Sequence, residues 1–85
     1  AVRAAYPKAW VCKLADRFTR AIPDLVVDWE THTLFIEAKR PGGKLAKLQQ
    51  ETRRAILFAG GEYCVATDPE TVLAAMKAVE DGKDN

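Results

Sequence analysis

Two glycine-bearing breaks, Pro41-Gly42-Gly43 and Gly60-Gly61, fence off one helix-length stretch between two apolar, strand-like runs. No other feature constrains the fold as much. Between the breaks, Leu48, Thr52 (by its methyl), Ala55, Ile56 and Ala59 recur at helical spacing, which predicts a helix over residues 46–59. Gly60-Gly61 ends it, because glycine takes the left-handed conformation a helix stop requires. The run before this helix is 34–39 and the run after it is 63–67. Strands joined through a helical crossover lie parallel in one sheet.

The remaining elements follow from local signals. Residues 1–6 read as the tail of a helix stopped before Pro7. Residues 10–15 alternate as a strand does, and the valine-rich run 24–29 predicts another. Glu30, Thr31, His32 and Thr33 form a polar turn, so 24–29 and 34–39 make an antiparallel hairpin. Asp68-Pro69 pairs an N-cap with a first-turn proline and starts a helix through about Val79, buried by Val72, Leu73, Met76 and Val79. The expected order is α-β-β-β-α-β-α, an α/β fold with a mixed four-stranded sheet flanked by helices. At 85 residues the chain has room for one domain with a modest core.

Composition excludes several classes. No apolar stretch is long enough to span a membrane. Cys12 and Cys64 have no partner at ligand spacing, which rules out a structural zinc site and reads as two reduced thiols on strands, as in a cytosolic protein. The net charge is +1, yet Lys39, Arg40, Lys44, Lys47, Arg53 and Arg54 crowd the span 37–54 against only Glu37 and Glu51. A near-neutral chain can therefore turn one positive surface to a polyanion; a solvated helix face would read the same by charge alone.

Chemistry is carried by Pro23-Asp24 and by Glu37-Ala38-Lys39. Strand side chains alternate, so Glu37 and Lys39 share a face, and Asp24 opens the partner strand beside them. Two carboxylates at a strand end repel each other without a cation and suit magnesium or manganese. Such an ion activates water and a phosphoryl oxygen, while Lys39 adds positive charge where the transition state becomes negative. That chemistry is phosphodiester hydrolysis. His32 lies in the turn at the far end from Glu37 and reads as structural. Trp10 and Trp29 read as core or interface, whereas Phe18, between Arg17 and Thr19, suits packing and substrate contact equally. Leu57 and Phe58 fall off the helix's apolar stripe, which points to a second buried face and a dimer.

Three ordered segments, Ile22-Pro23-Asp24-Leu25-Val26-Val27, Phe35-Ile36-Glu37-Ala38-Lys39 and Gly43-Lys44-Leu45-Ala46-Lys47-Leu48-Gln49, resemble the VRR-NUC domain, the virus-type replication and repair nuclease. The resemblance covers roughly residues 20–80. It implies a restriction-endonuclease-like PD-(D/E)XK fold and Mg2+- or Mn2+-dependent DNA cleavage in a bacterial or phage-infected cell. By that resemblance Asp24 and Glu37 hold the metal with the Ala38 carbonyl, Lys39 is the catalytic lysine and Gln49 the active-site glutamine. Arg17, Arg20, Arg40, Lys44, Lys47, Arg53 and Arg54 would contact DNA. The implied activity is a structure-selective endonuclease acting on branched or four-way-junction DNA as a homodimer. The alternative is an assembly or DNA-binding module that keeps the fold without the activity.

Two departures from the family pattern stand out. The family has glycine two residues before its proline-aspartate, where this chain has Ala21. It also carries a glutamate on its N-terminal helix, and residues 1–6 contain none. Either that residue lies upstream of Ala1 or the domain works without it, and the number of metals depends on which.

Overall fold

The hairpin forms where alternation places it. In the computed structural model, which describes residues 2–14 and 21–82, β2 (Leu25–Trp29) pairs antiparallel with β3 (His32–Ala38). The connection is shorter than the polar run suggested. Only Glu30 and Thr31 turn, with Glu30 at φ 52°, while His32 pairs with Trp29 and Thr33 with Asp28. Thr33 Oγ1 also donates to Asp28 Oδ1 at 3.0 Å, so the polar residues at this end serve the ladder instead of a loop.

The other elements are α1 (Val2–Ala5), β1 (Trp10–Lys13), α2 (Lys47–Phe58), β4 (Glu62–Ala66) and α3 (Pro69–Glu80). They form a four-stranded mixed sheet, order β1-β2-β3-β4, with helices against it. β1 runs antiparallel to β2, and β4 runs parallel to β3, as the crossover through α2 requires. Among the described residues no helix is long and apolar enough to cross a membrane.

The two faces of the sheet do different work. One carries Val27 and Trp29 of β2, Leu34 and Ile36 of β3, and Ala66 of β4, packed under Val72, Met76 and Val79 of α3. Val27, Leu34, Ile36 and Met76 are at most 1% exposed, and burying each side chain contributes about 1.5–3 kcal/mol. Trp29 Nε1 donates to Glu80 Oε2 at 2.9 Å, and the rings of Tyr6 and His32 pack on Trp29. His32 is thus a packing residue at the opposite end of β3 from Glu37. Asp68 caps α3 through the Thr71 N–H at 2.8 Å, with Pro69 in the first turn.

Helix α2 is rotated from the orientation its apolar spacing predicts. Gln49, Thr52 and Ile56 are half-buried, whereas Ala55, Ala59 and Leu48 are exposed, Leu48 by 50%. The cause is polar: Gln49 turns inward to reach buried Glu37, which carries Leu48 outward. At the other end, the Gly60 N–H donates to the Leu57 carbonyl and the Gly61 N–H to the Ile56 carbonyl, the paired closure of a glycine helix stop. Gly60 sits at φ 92°. A Cβ on Gly61 would come within 2.8 Å of Ile56 Cγ2, so the helix can end tightly only on glycine. Trp29 is core, as expected, but Trp10 on edge strand β1 is 58% exposed.

Candidate active site

Asp24 reaches the site through the hairpin register. Leu25 pairs with Ile36, so one step further along the ladder sets Asp24 opposite Glu37. Its carbonyl accepts from the Leu14 N–H, and its Oδ2 accepts from the Ala38 N–H, both at 2.8 Å. The chain enters this position under strain, with Ala21 in the left-handed region at φ 64°. That conformation costs an L-residue about 1–2 kcal/mol. It is the position where a glycine was to be expected.

Glu37 is the one charged residue in the buried set of described residues, 4% exposed. Its Oε2 accepts from Gln49 Nε2 at 3.0 Å and lies 3.9 Å from Lys39 Nζ. Its Oε1 is buried with no hydrogen-bond partner. Burial pushes the Glu37 carboxyl above the usual range, Asp24's negative charge pushes it the same way, and Lys39 opposes them. Asp24 is close enough to share a hydrogen bond with Glu37 once either carries a proton; with both ionised, nothing satisfies Oε1. Gln49 completes the frame, because its Oε1 accepts from the Ala46 N–H at 2.8 Å. One amide therefore fastens the start of α2 to the acidic side chain of β3.

The structure brings Asp24, Glu37, Ala38, Lys39 and Gln49 together. Arg17, Phe18 and Arg20 lie outside the described residues. The basic residues divide into groups. Lys39 and Arg40 border a mainly apolar cavity of about 720 Å³ beside the start of α3. Lys44, Arg53 and Arg54 border a separate hollow of about 390 Å³. Lys47 is exposed on the first turn of α2 and borders neither.

Tyr63 is a site neighbour that the sequence reading passed over. It pairs with Phe35, two residues before Glu37, so it shares the face of Glu37. Burial and then the charge of Glu37 push its hydroxyl up to about 12, and Arg53 pulls it down. The parallel register and strand parity together locate it; either alone does not.

The donors present fit a hard divalent ion. Among the described residues no group of three or more His, Cys, Asp or Glu side chains converges. A magnesium-type ion does not need one, since it binds through one or two carboxylates and keeps several waters. The orphaned Glu37 Oε1, the facing Asp24 and the Ala38 carbonyl are oxygen donors of that kind. Set against known proteins, the chain matches no family model and no curated sequence.

Proposed function

We propose that this chain is a Mg2+- or Mn2+-dependent endonuclease that hydrolyses phosphodiester bonds in DNA. On this proposal it is a restriction-endonuclease-like domain of the VRR-NUC kind, selective for branched DNA. One observation carries it: a buried carboxylate, Glu37, has an oxygen without a partner beside a second carboxylate, and a lysine on the same face. A structural core would neutralise or pair that oxygen, because an unsatisfied buried charge is costly. A site awaiting a cation has reason to keep it.

The residues divide the work by position. Asp24 and Glu37, with the Ala38 carbonyl, would hold the ion, which supplies Lewis acidity at the phosphoryl oxygen and water of lowered pKa. Gln49 fixes Glu37 by its 3.0 Å bond, so that Oε1 is the oxygen left free. Lys39, mostly covered and held beside Glu37, places its ammonium where charge develops on the phosphate. Leu48, Leu57 and Phe58, 50%, 40% and 96% exposed, support a two-fold dimer through α2, with paired sites for two strands.

The test is cleavage of labelled junction, flap, duplex and single-stranded DNA with Mg2+ or Mn2+, and with a chelator. Cutting should require the metal, disappear in Asp24→Asn, and fall by about 100-fold or more in Lys39→Ala. Metal-dependent cutting that survives Asp24→Asn would remove the site, and no cutting of any substrate would leave a non-catalytic module.

A further inference from the structure

The hollow bordered by Lys44, Leu45, Gln50, Arg53 and Arg54 is strongly cationic. Three of its five lining residues are cations and none is acidic. The loop beside it is anchored: the Gly43 N–H donates to the Arg40 carbonyl at 2.8 Å, and Gln50 Nε2 donates to the Leu45 carbonyl at 3.0 Å. The loop carrying Lys44 is thereby tied back to α2. Arg53 and Arg54 follow Gln50 by three and four residues, one helical turn along the same side. Like charges gathered around one hollow repel one another, and an anion relieves that.

We propose that this hollow holds one backbone phosphate of the DNA strand being cut, at a fixed offset from the phosphate at Asp24 and Glu37. The proposal rests on the nuclease reading and adds a second contact point that sets the strand's register. Gln49 holds Glu37, and Gln50, the next residue, walls the hollow. Helix α2, which supplies three walls of the hollow, lies over the Glu37 face of the sheet through the Gln49 bond, and Tyr63 on that face feels both Glu37 and Arg53. Arginine's planar fork matches two phosphate oxygens at once. The larger cavity beside Lys39 and Arg40 is a poor rival, since Val2, Leu25, Ile36, Ala66 and Val72 give it mainly apolar walls and Asp68 adds an acid.

The experiment reads register directly. A labelled strand carrying one neutral methylphosphonate linkage, annealed into a mobile four-way junction, is cut with Mg2+, and its ladder of cuts is compared with that of the unmodified strand. The wild-type chain should show, besides the modified linkage, one displaced linkage cut about 10-fold less, at a constant offset wherever the methylphosphonate is placed. In Lys44→Gln/Arg53→Gln/Arg54→Gln the displaced gap should vanish, and its binding of single strands in chelator should lose about 2 from the slope of log affinity on log salt. A wild-type ladder interrupted only at the modified linkage overturns the inference and leaves the nuclease reading standing. So does a displaced gap that persists in the triple variant. A wild-type chain that gives no metal-dependent ladder overturns both.

Discussion

Glu37→Gln separates a cation site from an ordinary buried polar contact. In the wild-type chain Glu37 Oε1 is buried without a partner, and the charge of Asp24 acts on the same carboxylate. Leaving a buried acceptor unsatisfied costs about 1–3 kcal/mol. Two unit charges about 4 Å apart repel by about 4 kcal/mol at an effective dielectric near 20. Lys39, 3.9 Å from Oε2, offsets most of that repulsion. The amide keeps an oxygen for Gln49 and turns an N–H₂ towards Asp24, so about 1–2 kcal/mol should be recovered. In chelator the variant should therefore melt about 5–10 °C above wild type. Magnesium at about 100 times its Kd adds about 2.7 kcal/mol to wild type and nothing to the variant, so the order inverts. Acid should mimic the substitution. Burial and then Asp24 hold Glu37's folded pKa above its unfolded value. The stability tied to its proton is thus full below the unfolded value and lost as pH rises through the folded one. The gap between the two proteins should close on acidification. Scanning calorimetry measures all of this. A variant no more stable than wild type in chelator, or one that gains as much from magnesium, would refute the reasoning.

Ala21→Gly should stabilise the chain by about 0.5–1 kcal/mol, as relief of the left-handed strain at φ 64° outweighs the added freedom of the unfolded chain. Ala59→Gly, at φ −77°, should destabilise it by a similar amount, and urea melts that rank the two the other way would contradict the backbone geometry. Phe58→Glu should yield monomers by light scattering that cut junctions poorly; a wild-type monomer that cuts junctions symmetrically would dispose of the dimer. Asp68→Ala should lower the melting temperature, since Asp68 caps α3 through Thr71. Bonds from Thr71 hold the Asp68 carboxyl below its usual value. Its contribution is present above the unfolded pKa and lost as pH falls through the folded one, so the two proteins should melt together in strong acid.

Elements written in local pattern were legible in the sequence. The hairpin, the stop at Gly60-Gly61, the cap at Asp68-Pro69 and the parallel strand after the crossover each follow from a few neighbouring residues. That Asp24 lies beside Glu37 was legible from strand order, but the register that sets them opposite comes from a two-residue turn where the polar run suggested four. What escaped depended on contacts distant in sequence. Apolar spacing alone put Leu48 inside α2, whereas the bond from Gln49 to Glu37 set the helix's rotation. Splitting the basic residues between two cavities likewise needed the path of the 41–46 loop, which charge counting does not contain.

Apart from Glu30, whose left-handed conformation a two-residue hairpin turn requires, two breaches of local rules lie close together. Most of the chain is self-consistent: apolar alternation matches the sheet, caps match the helix ends, and glycine stands where α2 must turn back. Ala21 takes a left-handed conformation two residues before Pro23-Asp24, and Glu37, across the ladder from Asp24, keeps a buried oxygen unsatisfied. Each costs stability, and glycine at 21 or glutamine at 37 would relieve it without altering the fold. Breaches that cluster at the open end of one hairpin fit a site maintained for something other than stability. The two costs differ in kind, and that difference can be used. A cation repays the orphaned carboxylate directly, so magnesium should cancel the Glu37 penalty. The strain at Ala21 involves no ligand atom, so it should remain with metal bound. Glycine at position 21 should therefore raise the melting temperature equally with and without magnesium, whereas the benefit of Glu37→Gln should exist only without it.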